Sequence, residues 1–163
     1  MFKVDYKKLL HSTIIVLIIF FVDRVSKFYI LKIADTESLV DIYVNSYLNF
    51  YLIWNKGVAF GLFSFDEHYI YKLVSLIIAT IIIVITILIR KSKGIKKYSL
   101  LMVLGGALGN LYDRIYYTAV PDFIDFHIGE IHWFIFNVAD IFITLGVLSL
   151  ILLELFNKKN ENK

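Results

Sequence analysis

Cysteine is absent from the 163-residue chain, which excludes disulfides and thiolate metal sites. Proline occurs once, at Pro121, as suits a chain made mostly of uninterrupted helix. Polar sequence is also scarce. Hydrophobic residues make up 59% of the chain and aromatics 17%, whereas a soluble domain is typically about 45–50% apolar. The apolar excess gathers into long runs, so the expected class is an α-helical integral membrane protein with a single domain over 1–163. The net charge of +3 says little until the lysines are located, and no nucleic-acid partner is expected.

Four apolar runs predict transmembrane helices at about 9–31, 69–89, 98–117 and 133–156, each near the ~20 residues a bilayer core requires. The first has the basic start and apolar centre of a signal peptide. It runs into Asp23, Arg24 and bulky aromatics rather than a small-residue cleavage site, so a retained helix is expected. Segment 34–68 is mixed and aromatic. Its Tyr47-Leu48-Asn49-Phe50-Tyr51-Leu52 alternates like a strand, and Gly57 and Gly61 mark turns or close approaches. A small β-structured element at the membrane surface is predicted there, and 118–132 reads as an acidic loop.

Charge placement predicts orientation. The N-terminus, the link Arg90-Lys91-Ser92-Lys93-Gly94-Ile95-Lys96-Lys97 and the C-terminal tail are basic. Segments 34–68 and 118–132 hold Asp35, Glu37, Asp41, Asp66, Glu67, Asp122, Asp125 and Glu130 against Lys56 alone. Both termini are therefore expected in the cytoplasm and both acidic segments outside.

Ionisable groups within apolar spans are functional candidates by default. Asp23 and Lys27 stand four apart on one face of the first span, and Asn110, Asp113 and Arg114 lie within about a turn in the third. Asn137 and Asp140 stand three apart in the fourth. Taking Trp133 as the start of that span puts Asp140 roughly 10 Å in. All these groups fall toward the outward ends, with Asp122 in the loop above them. Bland readings stand alongside. Asp23–Lys27 and Asp113–Arg114 also fit structural ion pairs, and Asp140 fits a buried pair with either cation. Asp122 and Asp125 fit surface acids, and Gly105-Gly106-Ala107-Leu108-Gly109 fits helix packing. His127 and His132 are five apart, which is not a usual ligand pair, so no metal or other cofactor is expected.

Five motifs in order resemble the lipoprotein signal peptidase (signal peptidase II) family. They are Asp23-Arg24-Val25-Ser26-Lys27, Asn55-Lys56-Gly57-Val58-Ala59-Phe60-Gly61, Gly105 through Arg114, Val120 through Phe126, and Phe136-Asn137-Val138-Ala139-Asp140. The resemblance covers nearly the whole chain. It implies four transmembrane helices with a small extracytoplasmic β-cradle and a short extracytoplasmic helix near 63–68. It also implies a multi-pass protein of the bacterial inner or plasma membrane, with its active site near the extracytoplasmic face. The implied activity is an aspartyl endopeptidase that cleaves diacylglyceryl-modified prolipoproteins before the lipidated cysteine. The family's catalytic pair falls on Asp122 and Asp140. Its supporting residues fall on Asp23, Lys27, Asn55, Gly57, Asn110, Asp113, Arg114 and Asn137. Prolipoprotein and membrane lipid are the implied partners, globomycin-type compounds the implied inhibitors, and no oligomer is implied. From the residues alone, a proton or cation path, or a non-catalytic assembly subunit, remain the rival readings.

Overall fold

The computed structural model describes residues 6–37, 39–56, 67–132 and 134–161. Among these, four long helices surround buried polar groups, and a small antiparallel sheet sits at one end. The helices are α1 (Tyr6–Ala34), α2 (Glu67–Lys91), α3 (Gly94–Tyr117) and α4 (Val138–Glu161).

Helix α3 is the hub and packs against α1, α2 and α4. Its glycines explain how closely the neighbours approach. A Cβ on Gly106 would stand 2.5 Å from the Ala139 carbonyl oxygen of α4. One on Gly109 would stand 2.6 Å from Asp23 Oδ2 of α1. Neither approach leaves room for a side chain, so the small-residue stripe sets the helix spacing. Ile85, Leu100, Val103 and Leu104 form an apolar cluster between α2 and α3, with Ile143 and Leu150 of α4 packed against it.

Outside and inside are reversed relative to a water-soluble protein. Large apolar side chains such as Phe21, Ile83, Ile115 and Leu152 are exposed, while Asp23, Lys27 and Asp113 are at most 1% exposed. Among the described residues, the segments Tyr71–Lys91 and Val138–Asn157 are long and apolar enough to cross a membrane by length and composition. Helices α1 and α3 carry the charged residues described below.

Strands β1 (Asp41–Asn45) and β2 (Leu48–Asn55) form an antiparallel hairpin, within the β-structured element expected in 34–68. Asn45 Oδ1 accepts the Tyr47 N–H at 2.8 Å and fixes the turn. Strand β3 (Val120–Ile128) then pairs with β2, and β4 (Ile131–His132) with β3, giving the order β1-β2-β3-β4. The stretch read from sequence as an acidic loop is therefore mostly strand. Its pairing partner lies some 70 residues upstream, so no local signal marks it. Ile30, Val40 and Phe123 join the sheet to α1.

Helix α4 starts at Val138, later than the expected 133. The apolar residues before it belong to the sheet's margin. The Phe136 carbonyl accepts from the Phe123 and Ile124 N–H groups at 3.0 and 2.8 Å, and the Phe136 N–H donates to the Ile124 carbonyl at 3.1 Å. These bonds fasten the entrance of α4 to β3. Gly57, Trp133 and most of the short helix expected near 63–68 lie outside the described residues; α2 itself begins at Glu67.

Candidate active site

Two groups of aspartates meet where α1, α3, α4 and β3 converge. The first is matched by cations. Lys27 Nζ lies 2.9 Å from Asp23 Oδ1 and donates to Asp113 Oδ2 at 2.7 Å. Arg24 donates to Asp23 Oδ2 at 2.6 Å and bridges both oxygens of Asp113, reaching Oδ2 at 2.8 Å. Its guanidinium lies 4.8 Å from the Tyr112 ring centroid, within cation–π range. The Ala139 N–H of α4 donates to Asp23 Oδ1 at 3.0 Å. Two carboxylates and two cations thus balance within one cluster that ties three helices together.

Arg24, rather than the adjacent Arg114, is the partner of Asp113, and the sequence spacing alone does not mark it. Adjacent residues on a helix point about 100° apart, so neighbours in sequence do not face each other. Arg114 instead donates from Nη1 to the Asn110 carbonyl of its own helix at 3.2 Å, while its own carbonyl accepts from the Tyr71 hydroxyl. Its guanidinium lies within electrostatic reach of Asp140 and Asp122.

The second group is held by amides. Asp140 stands in the first turn of α4, not two turns in, because Asn137 caps the helix. Asn137 Oδ1 accepts the Asp140 N–H at 3.1 Å, and Asp140 Oδ2 accepts the Asn137 N–H at 3.1 Å. This reciprocal arrangement is a capping box. The other oxygen of Asp140 accepts from Asn110 Nδ2 at 2.8 Å. Asn110 is itself oriented by Lys27, whose Nζ donates to Asn110 Oδ1 at 3.0 Å. An ammonium can only donate, so it takes the amide oxygen and leaves the amide N–H for Asp140.

Asp122 projects from β3 into the same place. Its Oδ1 accepts from Asn137 Nδ2 at 2.6 Å and its Oδ2 from Asn55 Nδ2 at 2.9 Å. Asn137 therefore holds both aspartates, one by its backbone and one by its side chain. Asp122 is 2% exposed. Burial pushes its carboxyl up to about 6, and the nearby Asp140 charge adds to the rise. The Asn137 and Asn55 hydrogen bonds, with Lys27, oppose it. Asp140 is half-buried, so the pair has an open side.

Asp125 takes no part in this arrangement. It lies three residues further along β3, and that odd spacing turns it to different neighbours. It is buried against His132, whose Nδ1 lies 2.9 Å from Asp125 Oδ2. Of the sequence-derived candidates, Asp23, Lys27, Asn55, Asn110, Asp113, Asp122, Asn137 and Asp140 are joined by direct hydrogen bonds or ion pairs. In general, two carboxylates sharing one proton offer an acid and a base side by side.

Residues 15–156 match the family described as Signal peptidase (SPase) II. A lipoprotein signal peptidase of Pelagibacter ubique is 53% identical, over 99% of this chain and 98% of that protein. One from Anaplasma phagocytophilum is 39% identical, over 96% and 99% of the two chains. A solved bacterial membrane enzyme superposes with a TM-score of 0.75 at 28% identity, covering 92% of this chain and 90% of its own. With a match that takes in the α1 cluster, β3 and the α4 cap together, the chain belongs to the signal peptidase II family, whose members are peptidases of the aspartic type.

Proposed function

We propose that this peptidase is a membrane-embedded aspartic endopeptidase that removes signal peptides from diacylglyceryl-modified prolipoproteins, cutting just before the lipidated cysteine. The observation that carries the proposal is Asn137, which fixes Asp140 through a capping box and Asp122 through its side-chain amide.

In the proposed reaction Asp140 removes a proton from water as the water oxygen attacks the scissile carbonyl. Asp122 holds the shared proton, consistent with its raised pKa, and gives it to the carbonyl oxygen. Collapse of the tetrahedral intermediate returns that proton to Asp122. The proton taken up by Asp140 passes to the leaving amine. Asn55 and Asn137 hold Asp122, Asn110 holds Asp140, and Arg114 adds positive charge nearby. Asn55, two residues before Gly57 in the sequence, would also hydrogen-bond an extended substrate backbone. A globomycin-type inhibitor would occupy the pair.

The proposal places all four helices across the bilayer as one membrane domain over 1–163. At about 1.5 Å per residue they run roughly 36–43 Å, longer than a hydrocarbon core of about 30 Å. The exposed apolar faces of α1, α2 and α4 then meet lipid. The basic ends would face the cytoplasm, and the aspartates, sheet and acidic segments the opposite side. A lipidated cysteine keeps its acyl chains in the membrane, which brings the bond before it to that depth.

The test is cleavage of a diacylglyceryl-modified prolipoprotein by purified protein in detergent without added metal. Asp122→Asn and Asp140→Asn are expected to lose at least about 10⁴-fold in rate, while Asp125→Asn cleaves normally. Wild-type cleavage by either of the first two variants would overturn the assignment.

A further inference from the structure

On the margin of the sheet, away from the aspartate pair, Asp125, His127 and His132 form a cluster that the proposed peptidase chemistry does not use. Asp125 and His127 are two apart on β3, so they share a face, and both are buried. The β3–β4 register sets His132 directly opposite His127 across the strands. Five residues apart in sequence, the two imidazoles become a cross-strand pair with ring centroids 5.0 Å apart. One potential ligand atom from each of the three residues lies within 4.8 Å of the others.

A second observation points into the cluster. His127 is 9% exposed, and among the described residues its Nδ1 has no hydrogen-bond partner. That nitrogen lies 3.7 Å from Asp125 Oδ2, too far for a hydrogen bond. His132 Nδ1 lies 2.9 Å from the same oxygen. Ligand atoms about 2.1 Å from a tetrahedral ion stand roughly 3.4 Å from one another, between those two separations.

We infer that Asp125, His127 and His132 form a binding site for a divalent transition-metal ion of the zinc type, completed by water. Two imidazoles and one carboxylate, without thiolate, suit Zn²⁺ and Co²⁺ over Ca²⁺ or Mg²⁺, which prefer oxygen-only shells. The ion cross-links β3 to β4. The site goes beyond the peptidase reading, and its test does not depend on activity.

The probe is Co²⁺, then Zn²⁺, added to chelator-treated, tag-free protein in detergent. Wild type is expected to bind one equivalent of Co²⁺ with visible ligand-field absorption, which Zn²⁺ displaces, and Zn²⁺ is expected to raise its melting temperature. Substituting even an outer partner of a metal ligand typically costs 10–100-fold in affinity, so His132→Gln and Asp125→Asn should each weaken binding at least about tenfold. His132→Gln keeps the protein testable, because that side chain is 54% exposed. No stoichiometric binding by folded wild type, or undiminished binding by both variants, would overturn the inference.

Discussion

Two pairs of aspartates sit side by side in this protein and are treated in opposite ways. Asp23 and Asp113 are fully buried, and Arg24 and Lys27 supply a matching positive charge. Asp122 and Asp140 receive their hydrogen bonds from neutral amides: Asn55, Asn110 and Asn137. A cation on a carboxylate opposes protonation, whereas an amide holds the group in place and leaves a proton affordable. The first pair fastens α1 to α3 and α4. In the proposed reaction the second transfers protons. Lys27 and Asn110 connect the two, since the charge cluster orients the amide that holds Asp140.

The largest effect on this contrast should come from Lys27→Met. Removing one partner of a buried ion pair typically costs about 3–5 kcal/mol, so a large fall in melting temperature is expected. An unchanged melt would show that the cluster is not structural. Next is Asn137→Ala, which frees Asp122 and Asp140 at once. Misplacement of about 1 Å costs on the order of 10²-fold, so kcat for prolipoprotein should fall by about that factor with KM little changed. Loss of the helix cap should cost about 1 kcal/mol of stability.

A smaller effect separates the pairs by pH. Folded Asp122 keeps its proton up to about 6, while its ordinary value is 3.8, so the native state binds more protons between those values. Wild-type stability therefore declines as pH rises through that window, and Asp122→Asn lacks this contribution. Melting at pH 4 and pH 7 should shift the stability difference toward the variant by about 2 kcal/mol. No shift would remove the case for a proton on Asp122. The smallest effect is expected from Asp125→Asn, which should change kcat/KM by less than about threefold, under ~0.7 kcal/mol.

Much of the site was legible residue by residue. Polar groups at matching ends of three apolar runs converge as the charge and spacing argument expected. The capping box was also within reach, since Asn137 and Asp140 have the N-cap to N3 spacing ahead of an apolar run. It was hidden because Phe134-Ile135-Phe136 looks like the start of the helix. What local sequence could not show were partnerships made by tertiary structure. Arg24 reaches Asp113 across 89 positions, β3 finds its partner in β2, and His127 meets His132 only through the hairpin register. Sequence adjacency suggested Asp113–Arg114, and helix geometry directs those side chains apart.

The most direct test compares melting and prolipoprotein cleavage for four single variants: Asp23→Asn, Asp113→Asn, Asp122→Asn and Asp140→Asn. Asp122→Asn and Asp140→Asn are expected to lose at least about 10⁴-fold in turnover while melting within about 5 °C of wild type. Asp23→Asn and Asp113→Asn should melt far lower. The contradicting result is the reverse: stable but inactive Asp23→Asn or Asp113→Asn, with turnover retained in Asp122→Asn or Asp140→Asn. It would assign the chemistry to the cation-bound pair and leave the amide-held pair as structure.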